Sequence, residues 1–149
     1  MTVIKNVIRQ LLLADSTIAN ALAKYRFADG EADQPAIFTG YQVPEDTKFP
    51  VIVLVFVGGS DFGCRAQRGA VLHVDVQVYD DKEMSTKALD DLAFAIWKCC
   101  DRAELSTYLG AEGYEDWGCT ADAPVATSDP ESYPGYQIKV HARVLEKEA

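Results

Sequence analysis

The chain has 149 residues, 48% hydrophobic and 25% charged, a mixture that fits one globular domain with a sheet and two or three helices and is too apolar for a disordered chain. Its formal net charge of -9 excludes a surface that grips DNA or RNA by displacing counterions, which needs clustered Lys and Arg. No apolar run reaches the roughly 18 residues of a bilayer-crossing helix, so no membrane association is expected.

At the amino end Val3, Ile4, Val7, Ile8, Leu11 and Leu12 recur at helical spacing and predict an amphipathic helix. Scattered charge and the lack of a small-residue cleavage site argue against a secretion signal, so a cytosolic protein is expected. Asp15 or Ser16 is placed to cap a second short turn carrying Ile18, Ala19 and Leu22. From Arg26 to Pro50 the sequence reads as loop, with a short strand over Ala36 to Tyr41. The run "VIVLVFV" after Pro50 is β-branched and of strand length, which predicts a strand buried on both faces or central in a sheet.

The stretch "VGGSDFGCRAQRGA", Val57 to Ala70, reads as a loop longer than the two to five residues of a tight hairpin, and so as a projecting one. Beyond it Leu72, Val74, Val76 and Val78 alternate with His73, Asp75, Gln77 and Tyr79, the pattern of a strand with one wet face. A long antiparallel hairpin is the simplest connection between the two strands. "DDKEMSTKALDDLAFAIWKCC" predicts a second main helix with Ala88, Leu89, Leu92, Ala93, Ile96, Trp97 and Cys100 as its apolar stripe. An irregular segment with Gly110, Gly113, Trp117 and Gly118 follows, then a strand near Cys119 to Thr127, a turn at "SDPESYPG" and the alternating strand "YQIKVHARV". The expected fold is α+β: a mainly antiparallel sheet of about four strands, two main helices on one face and a long projecting hairpin loop, all in a single domain over 1–149.

No pattern of catalytic residues emerges. Asp61-Phe62-Gly63 matches the magnesium-binding triplet of protein kinases, but the partner motifs are missing and the chain is too short for two lobes. Gly58, Gly59 and Gly63 fit neither phosphate-loop spacing, and a strand follows where a helix should start. Asp29, Glu31 and Asp33 lack the glycine placement and closing glutamate of a calcium loop. His73 and His141 fall on polar strand faces and become neighbours if their strands pair, but a metal would need a third ligand such as Asp75, and surface histidines are the simpler reading. Cys64, Cys99, Cys100 and Cys119 form no C-x-x-C pair and read as reduced core thiols. No serine or cysteine sits in a nucleophile elbow, and neither Asp80-Asp81 nor Asp90-Asp91 suggests a carboxylate in an apolar pocket. The expectation is a protein without enzymatic activity, cofactor or metal. Arg65 and Arg68 stand out in an acidic chain, suited to docking on a neighbour's carboxylates, and with Asp61 and Phe62 they form the candidate protein–protein contact.

The order of these elements, more than any single motif, resembles the tail-terminator (tail-completion) proteins of tailed bacteriophages. It comprises the opening helix ending in "LLLADSTIANAL", "FPVIVLVFV" after a proline-marked loop, the arginine-bearing hairpin, "LHVDVQVYD", a helix with "ALDDLAFAIW" and the closing "YQIKVHARV". The likeness runs from about Val3 to Val144 and departs most between about Ser106 and Tyr133. It implies a six-membered ring at the tail–neck junction of a virion, assembled in the host cytoplasm. Such a ring caps the tail tube, ends its polymerisation and docks the head–tail connector. DNA passes through it without specific binding, consistent with about -54 for six copies at -9 each. Another neck component, a stopper or connector, is one alternative. An acidic DNA mimic is another, disfavoured because the acids are scattered among Lys and Arg on the same strands.

Overall fold

Helix α1 spans Thr2–Ala14, and its periodic face buries Ile4, Val7, Ile8 and Leu12 completely or nearly so. It ends where Asp15 takes an extended conformation and caps α2, Ser16–Ala21; Asp15 Oδ1 accepts from the backbone N–H groups of Thr17 (3.0 Å) and Ile18 (3.3 Å). These details come from a computed structural model that describes residues 2–40, 43–64, 67–81, 86–128 and 133–147.

Three two-residue strands follow: β1 (Lys24–Tyr25), β2 (Gln34–Pro35) and β3 (Ile37–Phe38). The first two pair with each other, and β3 runs parallel to the start of β4, Val51–Cys64. The long strands β5 (Gln67–Tyr79) and β8 (Pro134–Glu146) complete the centre of the sheet. Between them the chain forms α3 (Thr86–Cys100), α4 (Ser106–Ala111), β6 (Tyr114–Ala121) and β7 (Val125–Ser128). The main sheet has the order β3-β4-β5-β8-β6, with β7 also on β8.

This sheet corrects the expected four-stranded, mainly antiparallel one. It has six strands and is mixed, because β3 pairs parallel with β4. The short strand expected before β4 joins the sheet as β3, in parallel, and the expected strand at Cys119–Thr127 is two strands. The start of β6 was hidden for a physical reason: it carries the bulge-forming pair Trp117–Gly118, which breaks its alternation. The strand expected over Cys119–Thr127 is in fact the end of β6 and the start of β7, and the "irregular" segment contains α4. The expected strand at Ala36–Tyr41 is the two residues of β3; Tyr41 lies outside the described residues. Half of the turn Ser128–Gly135, at 129–132, likewise falls outside them, while Ser128 ends β7 and Pro134 and Gly135 open β8.

Both main helices cover one face. Their buried side chains meet Ile52, Leu54, Leu72, Val74, Val76, Val78, Ile138, Val140, Ala142 and Val144, which the strand registers place on the same side. In α3 the stripe Leu89, Leu92, Ala93, Ile96 and Cys100 is buried and Trp97 half-buried, with its Nε1 donating to Ala121 O at 3.0 Å; Ala88, expected in the stripe, is exposed. A smaller cluster, Ala36, Phe38, Val51, Val53 and Tyr79, lies on the other face at the β3 end, so the first residues of β4 are buried on both sides. Arg9 ties this corner to α1: its Nη2 donates to Gln34 Oε1 (3.1 Å), its Nε to Ile37 O (3.3 Å), and its guanidinium lies 5.1 Å from the Phe27 ring centre. No helix among the described residues is long and apolar enough to cross a membrane.

Candidate functional site

The described residues between Val57 and Ala70 are strand, not loop. Pairing between β4 and β5 continues through Asp61↔Ala70, Phe62↔Gly69 and Gly63↔Arg68 to Cys64↔Gln67, which leaves two residues, 65–66, between the strands. Glycine-rich sequence concealed this because Gly is depleted in strands, yet Gly58 and Gly59 each answer a local need. Gly58 has φ +143, at a bulge where Val57 is the extra residue between the pairs Phe56↔Val74 and Gly58↔His73. A Cβ on Gly59 would sit 2.9 Å from Val71 O and 3.1 Å from Leu72 Cδ2, so only a bare α-carbon lets the strands approach.

The projecting element is therefore a two-stranded ribbon. Strand β8 accompanies β5 only as far as Gly69↔Leu145, so Arg68 and Gln67 continue past it. Of the four proposed contact residues, Asp61 and Arg68 are exposed and lie two rungs apart along the ribbon, with the pair Phe62↔Gly69 between them. Phe62 pairs through its backbone with Gly69, and its side chain lies outside the described residues, as does Arg65 altogether.

Two strand edges are open among the described residues. Strand β3 accompanies β4 only at Ile52 and Val53, so β4 from Leu54 onward has no partner on its outer side. At the opposite side of the sheet β6 pairs only with β8. Each edge bears a bulge, and each bulge shows a large apolar residue to solvent: Val57, 60% exposed, and Trp117, 57% exposed, beside Gly118 at φ +117. Trp117 Nε1 donates to Glu115 Oε2 at 3.2 Å, which holds the indole against its own strand. Neither residue stood out in the sequence; the available signal was an apolar residue next to a glycine inside a strand-like run.

Away from the Tyr79 corner the face of the sheet opposite the helices carries polar side chains. Asp75 accepts from Gln137 Nε2 at 2.6 Å, and burial pushes its carboxyl above the usual range, against the pull of Lys139, the Gln137 hydrogen bond and His141. His73 and His141 are direct cross-strand partners, as their alternation allowed. Among the described residues no group of three or more His, Cys, Asp and Glu is arranged to hold a metal ion. Asp33, one of the three loop acids, bonds Arg26 at 3.3 Å. Cys99, Cys100 and Cys119 are free, with Cys119 Sγ 3.4 Å from Cys100 O.

The chain matches no protein-family model and no curated protein. Its fold is similar to that of a chain in a solved structure described as the virion of a native gene transfer agent particle. The TM-score is 0.68 over 95% of this chain and 93% of that one, at 17% sequence identity. At that identity the likeness is one of fold.

Proposed function

We propose that this chain is a structural virion protein that acts by contact, without catalysis: six copies close into a ring that caps a tail tube, ends its polymerisation and offers a docking surface to the head–tail connector. The observation that carries this reading is the near full-length fold similarity to a chain of a virion particle. It agrees with the element order that resembles tail terminators. The two open edges support the ring. An unpartnered strand on each side of one sheet lets each copy meet two others through different edges, and such head-to-tail contacts leave no free edge once a ring closes. Bulges at Val57 and Trp117 restrict continuous pairing there and put an apolar side chain at each edge. The charge of -9 per copy keeps a passing duplex from adhering to the channel.

The test is the assembly mass of purified protein, alone and with tail-tube subunits, for the wild type and for Val57→Lys with Trp117→Lys. Six-fold particles that the paired lysines disperse, with circular dichroism unchanged, support the reading. Monomers under both conditions, with no binding to tubes, refute it.

A further inference from the structure

Backbone groups alternate sides along a strand, so one hydrogen bond fixes the direction of the rest. Asp80 N donates to Pro134 O at 3.0 Å, and Asp122 N to Lys139 O at 2.9 Å. Gly135, Gln137 and Lys139 of β8 therefore face β6 and β7. In β7, Val125 and Thr127 bond back to Gln137 and Gly135, while Ala126 and Ser128 turn their backbone groups away from β8. In β6, Thr120 faces β8, and Cys119 and Ala121 face outward.

These two strands share one side of the sheet but differ at the edge. The outward groups of β6 are taken by the end of α3 and the two residues after it. Arg102 N donates to Cys119 O at 2.9 Å, Trp97 Nε1 to Ala121 O at 3.0 Å, and Ala121 N to Asp101 Oδ1 at 3.0 Å. A further strand pairs there only by breaking them. The outward groups of Ala126 have no partner among the described residues. On the opposite side of the sheet, Asp80 facing β8 leaves the odd-numbered residues of β5 for β4. Past the bulge Gly58 and Ser60 thus bond His73 and Val71, and Gly59 and Asp61 turn their backbone groups outward, where β3 no longer reaches.

We propose that copies join by strand addition: Ala126 and Ser128 of β7 in one copy pair with Gly59 and Asp61 on the outer edge of β4 in the next. Each edge offers two outward residues two positions apart, the spacing at which antiparallel ladder bonds recur. Val125, 65% exposed, and Val57, 60% exposed, are the most exposed large hydrophobic residues among those described, and they lie on these two edges. Strand β7, Val-Ala-Thr-Ser, carries no charge to repel an incoming strand, and an edge without such protection is the kind that adds one. Because the two edges differ, each copy gives one strand and receives one, the head-to-tail contact from which a ring closes. The junction presupposes the ring proposed above and names the edges that meet in it.

Ala126→Pro and Asp61→Pro each remove one outward N–H and leave the bonds of β7 to β8 and of β4 to β5 in place; proline is tolerated at such edge positions. Analytical ultracentrifugation of the full chain, alone and with tail-tube protein, measures assembly. Rings are expected from the wild type and only monomers from each variant, with circular dichroism unchanged. An equal mixture of the variants should stop at dimers, because the one intact junction is β7 of Asp61→Pro on β4 of Ala126→Pro. Rings from either variant would overturn strand addition and leave the ring standing; a wild type without rings under both conditions would overturn both. Should a proline variant fail to fold, hydrogen exchange of the wild type decides. The Ala126 and Asp61 amides should exchange at least about tenfold more slowly in the ring than in the free chain, and unchanged rates at both would overturn the junction.

Discussion

Replacing Gly135 with alanine tests the packing of the sheet at its most crowded point. Gly135 lies opposite Tyr79 in the β5–β8 register, and a Cβ there would meet Val78 O and Tyr79 Cδ1, both at 2.5 Å. The ring could swing away, but the carbonyl belongs to the backbone of β5, so the strands themselves have to shift. Overpacking of this kind costs about 3 kcal/mol. The lower entropy of the unfolded alanine chain offsets about 0.5–1 kcal/mol of that. The net loss is about 2 kcal/mol, a fall in Tm of about 4–8 °C for a chain of this size. Gly40→Ala is the internal control: nothing lies within 4 Å of its Cβ, and its φ is not in the positive region. It receives only the entropic gain and should match or exceed wild-type stability. Urea unfolding with m values compared across the three proteins measures both effects. Equal stability of the two variants would refute the close approach of β5 and β8 at Gly135, and so would restoration of Gly135→Ala by Tyr79→Ala, since the carbonyl contact remains.

Asp15→Ala removes the acceptor for two N–H groups at the start of α2 and should cost about 1 kcal/mol, seen as a fall in Tm of about 2–4 °C with the helical signal otherwise kept. Burial pushes the Cys119 thiol up to about 12 and, with help from Asp15, the Cys99 thiol up to about 11, while buried Cys100 is raised well above the ordinary range. At pH 8 on the order of one Cys99 in a thousand is then thiolate, so iodoacetamide should label these three far more slowly in the folded than in the urea-unfolded chain, as read by mass spectrometry. Labelling at equal rates would show that the thiols are not held in the core as described. Arg65→Glu with Arg68→Glu should change stability by no more than about 0.5 kcal/mol, since an exposed charge such as that of Arg68 contributes little, and should weaken assembly measured by light scattering; normal assembly would refute a role for the two arginines in docking.

The parts of the fold legible in the sequence were those with a long, unbroken period. Ile4, Val7, Ile8 and Leu12 gave α1, and the alternations Leu72–Val78 and Ile138–Val144 gave the two central strands together with the face each residue takes. The same alternation placed His73 and His141 on one face, so their contact was readable once the strands were taken to pair. What stayed hidden was decided by neighbours distant in the chain. Gly58, Gly59 and Gly63 disfavour a strand locally, and only pairing with β5 carries β4 through them to Cys64. Strand β6 was obscured by its own bulge, and Asp116 shows why the bend is stable: its Oδ1 accepts from Gly118 N and its Oδ2 from Leu105 N, both at 2.9 Å. The first is local, but no local pattern announces the second, which reaches back eleven residues to the start of α4. Asp61, Phe62 and Arg68 of the candidate contact were read as loop and are paired strand, because the cross-strand register rather than the local composition decides it.

Electron microscopy of the purified chain mixed with tail-tube protein is the decisive measurement. Six-fold rings are expected, free or seated on one end of each tube, with tubes that stop growing where a ring sits. Tubes that lengthen unchecked, with the chain neither ringed nor attached at their ends, would contradict the capping role.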